Sequence, residues 1–283
     1  MKILSGLFSS ALLVLTSQAH AFPELNASFN ENAVHTFAEN DDYDFEGIVA
    51  LSNCSGSVVR FDDSLPEDKA MILTNGHCVG MINPGVVRYK ESSRKSFTVL
   101  SPSSKKLGRV YASQLAFGTM TKTDMAIYLL RESYEDISNK YGVEALTFAR
   151  DYVEPGTDIE VISGYWRRGY SCQAEEIVHQ LREGDWFFQD SIRYSRPGCL
   201  VVGGTSGSPI IEAGTRTVIG VNNTGNESGR KCSVNNPCEI SKDGEIKYEK
   251  GYSYGQQTSW IYSCRDIEGN IDLNVEGCLL PKP

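Results

Sequence analysis

The chain has 283 residues, with 27 Lys and Arg against 36 Asp and Glu, a formal charge of −9 and 40% hydrophobic residues. That is enough apolar sequence for a sizeable core, and an acidic balance without a basic patch excludes a nucleic-acid binder. Eight cysteines, an even number, suit an oxidising compartment, and none of their spacings reads as a zinc site: Cys232 and Cys238 stand six apart with no histidine nearby.

In chain order, Met1-Lys2 leads into an apolar run through Leu15 and then Ala19-His20-Ala21. These are the charged, apolar and small-x-small parts of a signal peptide, so residues 1–21 are expected to be cleaved after Ala21 and the protein exported to the periplasm or medium. The run is too short and serine-rich for a membrane anchor, and no second stretch approaches a span, so no membrane association is expected after cleavage. Residues 22–46 carry seven Asp or Glu and no Lys or Arg, whereas residues 47–283 carry 26 bases against 29 acids. The acidic block is therefore a separate segment: a pro-region, a flexible tail, or a strand packed on the second half of the chain. Its composition favours disorder or removal.

Beyond it, short apolar or alternating runs recur between turn residues, at 47–51, 55–61, 70–73, 86–89, 96–100, 125–130, 158–163, 175–180, 186–188, 209–211 and 218–221. This spacing predicts an all-β fold. A helix is expected at 134–141 and a helical turn near 259–264. Residues 131–155 read as a crossover between two halves. No internal repeat or long low-complexity segment is present.

Chemistry concentrates at three places. Gly203-Gly204-Thr205-Ser206-Gly207-Ser208-Pro209 sets a serine in a glycine-rich turn that leads into the apolar Ile210-Ile211. Such a turn leaves backbone N–H groups free beside the hydroxyl, as nucleophilic attack on a carbonyl requires. Of the four histidines, His20 falls in the leader, His35 in the acidic block and His179 in an alternating run. The alternating run around His179 suits either a solvent-facing or a quietly packed strand position, whereas His77 ends the apolar run Ile72-Leu73-Thr74-Asn75-Gly76-His77-Cys78, pinned by the adjacent cysteine and well held for general-base work. Asp124 opens the strongly apolar Met125-Ala126-Ile127-Tyr128-Leu129-Leu130 and, half desolvated there, needs a partner.

The order His77, Asp124, Ser206 resembles the chymotrypsin- and trypsin-like serine peptidases, from which the general description of the Ser-His-Asp triad is drawn. Cys54-Ser55-Gly56-Ser57-Val58-Val59 is similar to the strand of that family that begins beside a cysteine. The resemblance spans roughly residues 47–262 and is nearer to bacterial trypsin-like and glutamyl-endopeptidase-like members, because the serine motif reads Thr-Ser-Gly-Ser-Pro and Gly164-Tyr165 is followed by Cys172. It implies two six-stranded antiparallel β-barrels with the catalytic cleft between them. His77 and Asp124 would come from the first and Ser206 from the second, with Gly204 and Ser206 N–H forming the oxyanion hole. It also implies a monomeric, secreted serine endopeptidase acting on protein or peptide substrates through an acyl-enzyme, with no cofactor and no metal. Cys54–Cys78 and Cys172–Cys199 are the pairings the resemblance suggests; Cys232–Cys238 and Cys264–Cys278 follow from proximity alone. Residues 263–283 are left as a disulfide-clipped extension without an assigned role.

Two departures matter. Threonine stands at 205 where the digestive enzymes carry the aspartate that pairs with a freed N-terminal amine, so that activation switch is expected to be absent or differently built. Leu200 occupies the position where trypsin-like enzymes carry an acid, and Asn222 that where glutamyl endopeptidases carry a histidine. Leu200 with Asn222, Asn223, Thr224 and Gly225 is thus expected to line a pocket for a polar or medium apolar side chain. An α/β-hydrolase is excluded, because its elbow ends in glycine where Ser208 stands and its histidine follows the serine, whereas none follows Ser206. The alternative is an inert homologue that binds without cleaving.

Overall fold

A computed structural model describes residues 43–283. The expected signal peptide, His20, His35 and residues 22–42 of the acidic block lie outside the described residues. The first half holds β1 (Ile48–Ala50), β2 (Ser55–Arg60), β3 (Lys69–Thr74), β4 (Val87–Ser92), β5 (Ser96–Leu100), β6 (Lys106–Thr119) and β7 (Met125–Ser133). Six of them close an antiparallel ring in the order β1-β5-β6-β7-β3-β2, sealed by the β1–β2 pairing, and β4 lies outside on β6. The second half holds β9 (Asp158–Ser163), β10 (Arg168–Glu183), β11 (Trp186–Tyr194), β12 (Pro209–Glu212), β13 (Thr217–Gly225) and β16 (Ser253–Gln257), closed as β13-β12-β9-β10-β11-β16 by the β13–β16 pairing. The fold is thus all-β, with two six-stranded barrels.

Between the barrels, Ser133 caps α1 (Tyr134–Tyr141) in a reciprocal box with Asp136, and Gly142 ends it at φ 63°. Then β8 (Leu146–Phe148) runs parallel to both β2 and β13, so a three-residue strand hydrogen-bonds the two rings together. A short ribbon, β14 (Cys238–Ile240) and β15 (Ile246–Lys247), extends β10. Ser259–Cys264 forms a 3₁₀ turn.

The near-continuous apolar runs of the first barrel follow from burial on both faces. Val58, Ile72 and Tyr128 point into the ring. Their neighbours Val59, Leu73 and Ile127 point out, into a second apolar layer shared with Ile211, Val218 and Val221 of the second barrel. Alternation in a strand separates the two sets. The segment after Cys264 belongs to this layer: Ile271, Leu273 and Leu280 are all buried in it, and Cys264–Cys278 clips the segment shut. The end of the acidic block is likewise part of the body. Phe45 is buried in the same layer, and Arg216 pairs with Asp44 and Glu46.

The other disulfides are Cys54–Cys78, Cys172–Cys199 and Cys232–Cys238. Strands β6, β8, β14, β15 and β16 were not expected from the sequence. The 14-residue β6 slips register at 112–114 and at 115–117, which breaks its period of two. Strand β16 is Ser-Tyr-Gly-Gln-Gln, polar yet wholly buried, and so lacks an apolar signature.

Because Leu273 is 1% exposed within the shared layer, Leu273→Ala is expected to destabilise the oxidised protein by about 2–5 kcal/mol, read by denaturant unfolding.

Candidate active site

Strand β3 ends at Thr74, and the chain turns through Asn75-Gly76 to present His77. Gly76 is required there, because a Cβ would lie 1.9 Å from the Thr119 carbonyl and 3.0 Å from Asp124 Oδ1. The missing side chain lets Asp124 close on the histidine. Asp124 is 1% exposed, and its Oδ1 accepts the His77 backbone N–H at 3.0 Å while its Oδ2 lies 2.6 Å from His77 Nδ1. Asn75 Nδ2 donates to the Asp124 carbonyl at 2.8 Å and fixes the backbone that carries the carboxylate. An ionised carboxylate only accepts, so the proton sits on Nδ1 and Nε2 keeps its lone pair. Burial opposes protonation of His77, but the charge and hydrogen bond of Asp124 outweigh it, with help from Glu183. The net result is a pKa above the ordinary histidine value.

Ser206 stands in the turn before β12. Ser55 N–H, at the start of β2, donates to the Ser206 carbonyl at 2.8 Å, and Gly207 N–H donates to Asn222 O at 2.9 Å. A Cβ on Gly207, at φ 80°, would meet Ser55 O at 2.3 Å, so glycine permits this contact between barrels. Ser206 Oγ donates to Asn223 O at 3.4 Å, and in this rotamer no hydrogen bond joins it to His77. The backbone N–H groups of Gly204 and Ser206 have no partner among the described residues. Buried Thr205 makes no ion pair; it closes the local turn, its N–H donating to Val202 O at 3.0 Å.

One cavity of about 140 Å³ brings together His77, Asp124, Ser206, Asn222, Asn223, Thr224 and Gly225. Leu200 is outside it and 49% exposed; its N–H bonds to Gly198 O at 2.7 Å in a tight turn around Cys199, and Val201 and Val202 line the wall instead. His179 is exposed on β10. Among the described residues, the only cluster with metal-ligand spacing is Cys54, His77 and Cys78, and both of its sulfurs are tied up in a disulfide.

Sequence reasoning missed Glu183 and Trp186, at the tip of the β10–β11 hairpin. Glu183 is 9% exposed, lines the same cavity and accepts Asn235 N–H at 2.7 Å. No Lys or Arg among the described residues pairs with it. Burial pushes its pKa up, and nearby Asp124 adds to the rise. In sequence Glu183 is one acid among 36 and ends an alternating strand, so nothing marked it. Trp186 donates its indole N–H to Ile82 O at 2.8 Å and anchors the hairpin tip on the first barrel.

Two closed six-stranded barrels, bridged by one short strand and facing a shared cavity, define the chymotrypsin-like fold. Residues 54–221 match the family model described as a trypsin-like peptidase domain, and the chain belongs to that family. Among solved structures, it is similar to the MamO protease domain from Magnetospirillum magneticum (14% identity, TM-score 0.46, 77% of this chain and 95% of that one). It is also similar to the thermostable serine protease AL20 from an extremophilic microorganism (13%, 0.42, 77% and 92%). A third is a glutamic acid-specific serine protease with a histidine triad in substrate binding (14%, 0.42, 76% and 93%). No curated protein sequence matches the chain.

The His77 imidazole is expected to titrate above about 6.5. Glu183→Gln should lower that midpoint and Asp124→Asn should lower it further, both read by NMR titration of the ring protons. Gly76→Ala should unseat Asp124 and lower it as well.

Proposed function

We propose that the protein is an exported serine endopeptidase in which His77, Asp124 and Ser206 act as base, orienting acid and nucleophile. The observation that carries this reading is the 2.6 Å His77 Nδ1–Asp124 Oδ2 pair, with Nε2 left free and Ser206 on the same cavity. The Ser206 hydroxyl swings from Asn223 O toward His77 as substrate enters. Its oxygen attacks the peptide carbonyl carbon, and its proton passes to His77 Nε2. The carbonyl π electrons move onto oxygen, and the free N–H groups of Gly204 and Ser206 receive that oxyanion. On collapse the C–N bond breaks and the departing amine takes the proton from His77. Water, deprotonated in turn by His77, then attacks the acyl-serine ester; the ester C–O bond breaks, Ser206 Oγ takes the proton back from His77, and the carboxylic acid product leaves.

Four disulfides support an oxidising, extracellular or periplasmic setting. Any processing of the acidic block stops short of Tyr43, because Phe45 and the Arg216 partners belong to the folded body. Asn222, Asn223, Thr224 and Gly225 form the wall that contacts the substrate side chain, with Val201 and Val202 rather than Leu200 opposite them. The second reading, a non-catalytic binding protein, draws on the Ser206 hydroxyl being turned to Asn223 instead of His77.

A fluorophosphonate probe is expected to label the native protein and not Ser206→Ala; an unlabelled native protein would favour the binding reading. Since the base must be neutral and its pKa is raised, labelling should rise with pH along a limb centred above about 6.5 and be lost as pH falls through it.

A further inference from the structure

We propose that Trp166 is a positioning residue whose indole holds the Gly203–Gly204 peptide with the Gly204 N–H turned toward the reacting carbonyl. This inference rests on the serine peptidase reading above. Trp166 Nε1 donates to Gly203 O at 2.8 Å. In a trans peptide the carbonyl of one residue and the N–H of the next point in opposite directions. Gripping Gly203 O therefore sets the direction of the Gly204 N–H, and that N–H has no other partner among the described residues.

The peptide needs such a grip. Both of its residues are glycines, so no Cβ resists its rotation, and Gly204 stands at φ 90°. Turned over, the peptide would present an oxygen where the oxyanion must sit. An indole N–H can donate but not accept, so it bonds the peptide in one orientation only. In the other it would face an N–H and lose its partner. The neighbouring Thr205 has no charge with which to fix the turn from inside, and its own bonds stay within the turn.

Trp166 is itself anchored. Its backbone N–H donates to Ser163 Oγ at 3.2 Å, and the Tyr165 N–H donates to Ser55 Oγ at 3.1 Å. Ser55 and Ser163 are bonded to each other at 3.0 Å in the buried seam, and Ser55 Oγ lies 3.3 Å from Gly204 O. One network thus holds the carbonyls on both sides of the Gly204 N–H. The ring packs edge-on against Tyr165, with the centroids 4.9 Å apart. The side chain is nevertheless half exposed, so its polar tip can be changed without emptying a core site.

The test is steady-state kinetics of Trp166→Phe, which keeps a ring and removes the N–H, on p-nitrophenyl acetate and on a peptide chosen by library profiling. The expected result is a fall in kcat of at least about 10-fold, toward the ~10²–10³ of a lost oxyanion donor, with KM within about twofold. A peptide aldehyde, whose hemiacetal oxygen occupies the same place, should weaken in the same ratio. Trp166→His, which restores a ring N–H, should recover part of the loss. Should Trp166→Phe not fold, benzothienylalanine at 166 keeps the ring shape without the N–H and takes its place. An unchanged kcat, or a raised KM at constant kcat, would overturn the proposal. A wild-type protein that neither turns over substrate nor reacts with the fluorophosphonate would overturn the peptidase reading, and this one with it.

Discussion

The site depends on one backbone hydrogen bond across the seam, from Ser55 N–H in the first barrel to Ser206 O in the second, at 2.8 Å. Thr74, three residues before His77, donates its hydroxyl to Ser55 O at 2.7 Å. The strand that ends at the histidine and the turn that carries the serine are thereby both referred to Ser55. Gly164 and Gly207 make this approach sterically possible, since a Cβ at either would meet a backbone oxygen of the first barrel at 2.3 Å. Cys54–Cys78 ties Ser55's neighbour to the residue after His77, so the first-barrel side of that junction is fixed covalently.

The two barrels hold their shapes by different means. The first is packed with aliphatic and aromatic side chains. The second also has an apolar cluster around Ile159, Val161 and Ile192, but it encloses in addition polar groups that must find each other: Tyr194 OH on Asn222, Gln256 on Ser191, and Tyr254 OH on Glu239. Arg193 is nearly buried and paired with Glu175, Glu176 and Glu239, with Tyr252 stacked under its guanidinium. Leaving any of these unpaired in the interior is unfavourable by a few kcal/mol, so each bond penalises a slipped register. Asn222 is part of that lattice and also lines the cavity, which links the polar interior of the second barrel to the cavity wall.

This difference explains what could be read from sequence. Strands such as β3, β7 and β13 announce themselves because they are buried on both faces. Strand β16 is buried as deeply, but by hydrogen bonding, and hydropathy cannot see it. Strand β6 hides behind two register slips. Around the site, His77 is legible because a rare residue type ends an apolar run, Asp124 because a charge opens one, and Ser206 because a glycine-rich turn leads into one. Glu183 and Trp166 carry no such local mark; both reach the cavity lining only because the closed barrels bring them there. Leu200 stands where trypsin-like enzymes carry an acid, but the tight turn around Cys199 carries it outside the cavity. The tail beyond Cys264 has no role legible in the sequence, yet Ile271, Leu273 and Leu280 complete a layer begun more than 200 residues earlier.

The bridging strand β8 also bears on mechanics. It pairs with Val59 and Arg60 on one side and with Thr217 and Val218 on the other, so the barrels share a continuous hydrogen-bonded sheet at that point. Swinging them apart would tear backbone bonds on one flank and open the Ile211–Leu273 layer to water. The two barrels are therefore braced against each other along that flank, and any widening of the cleft is opposed there first.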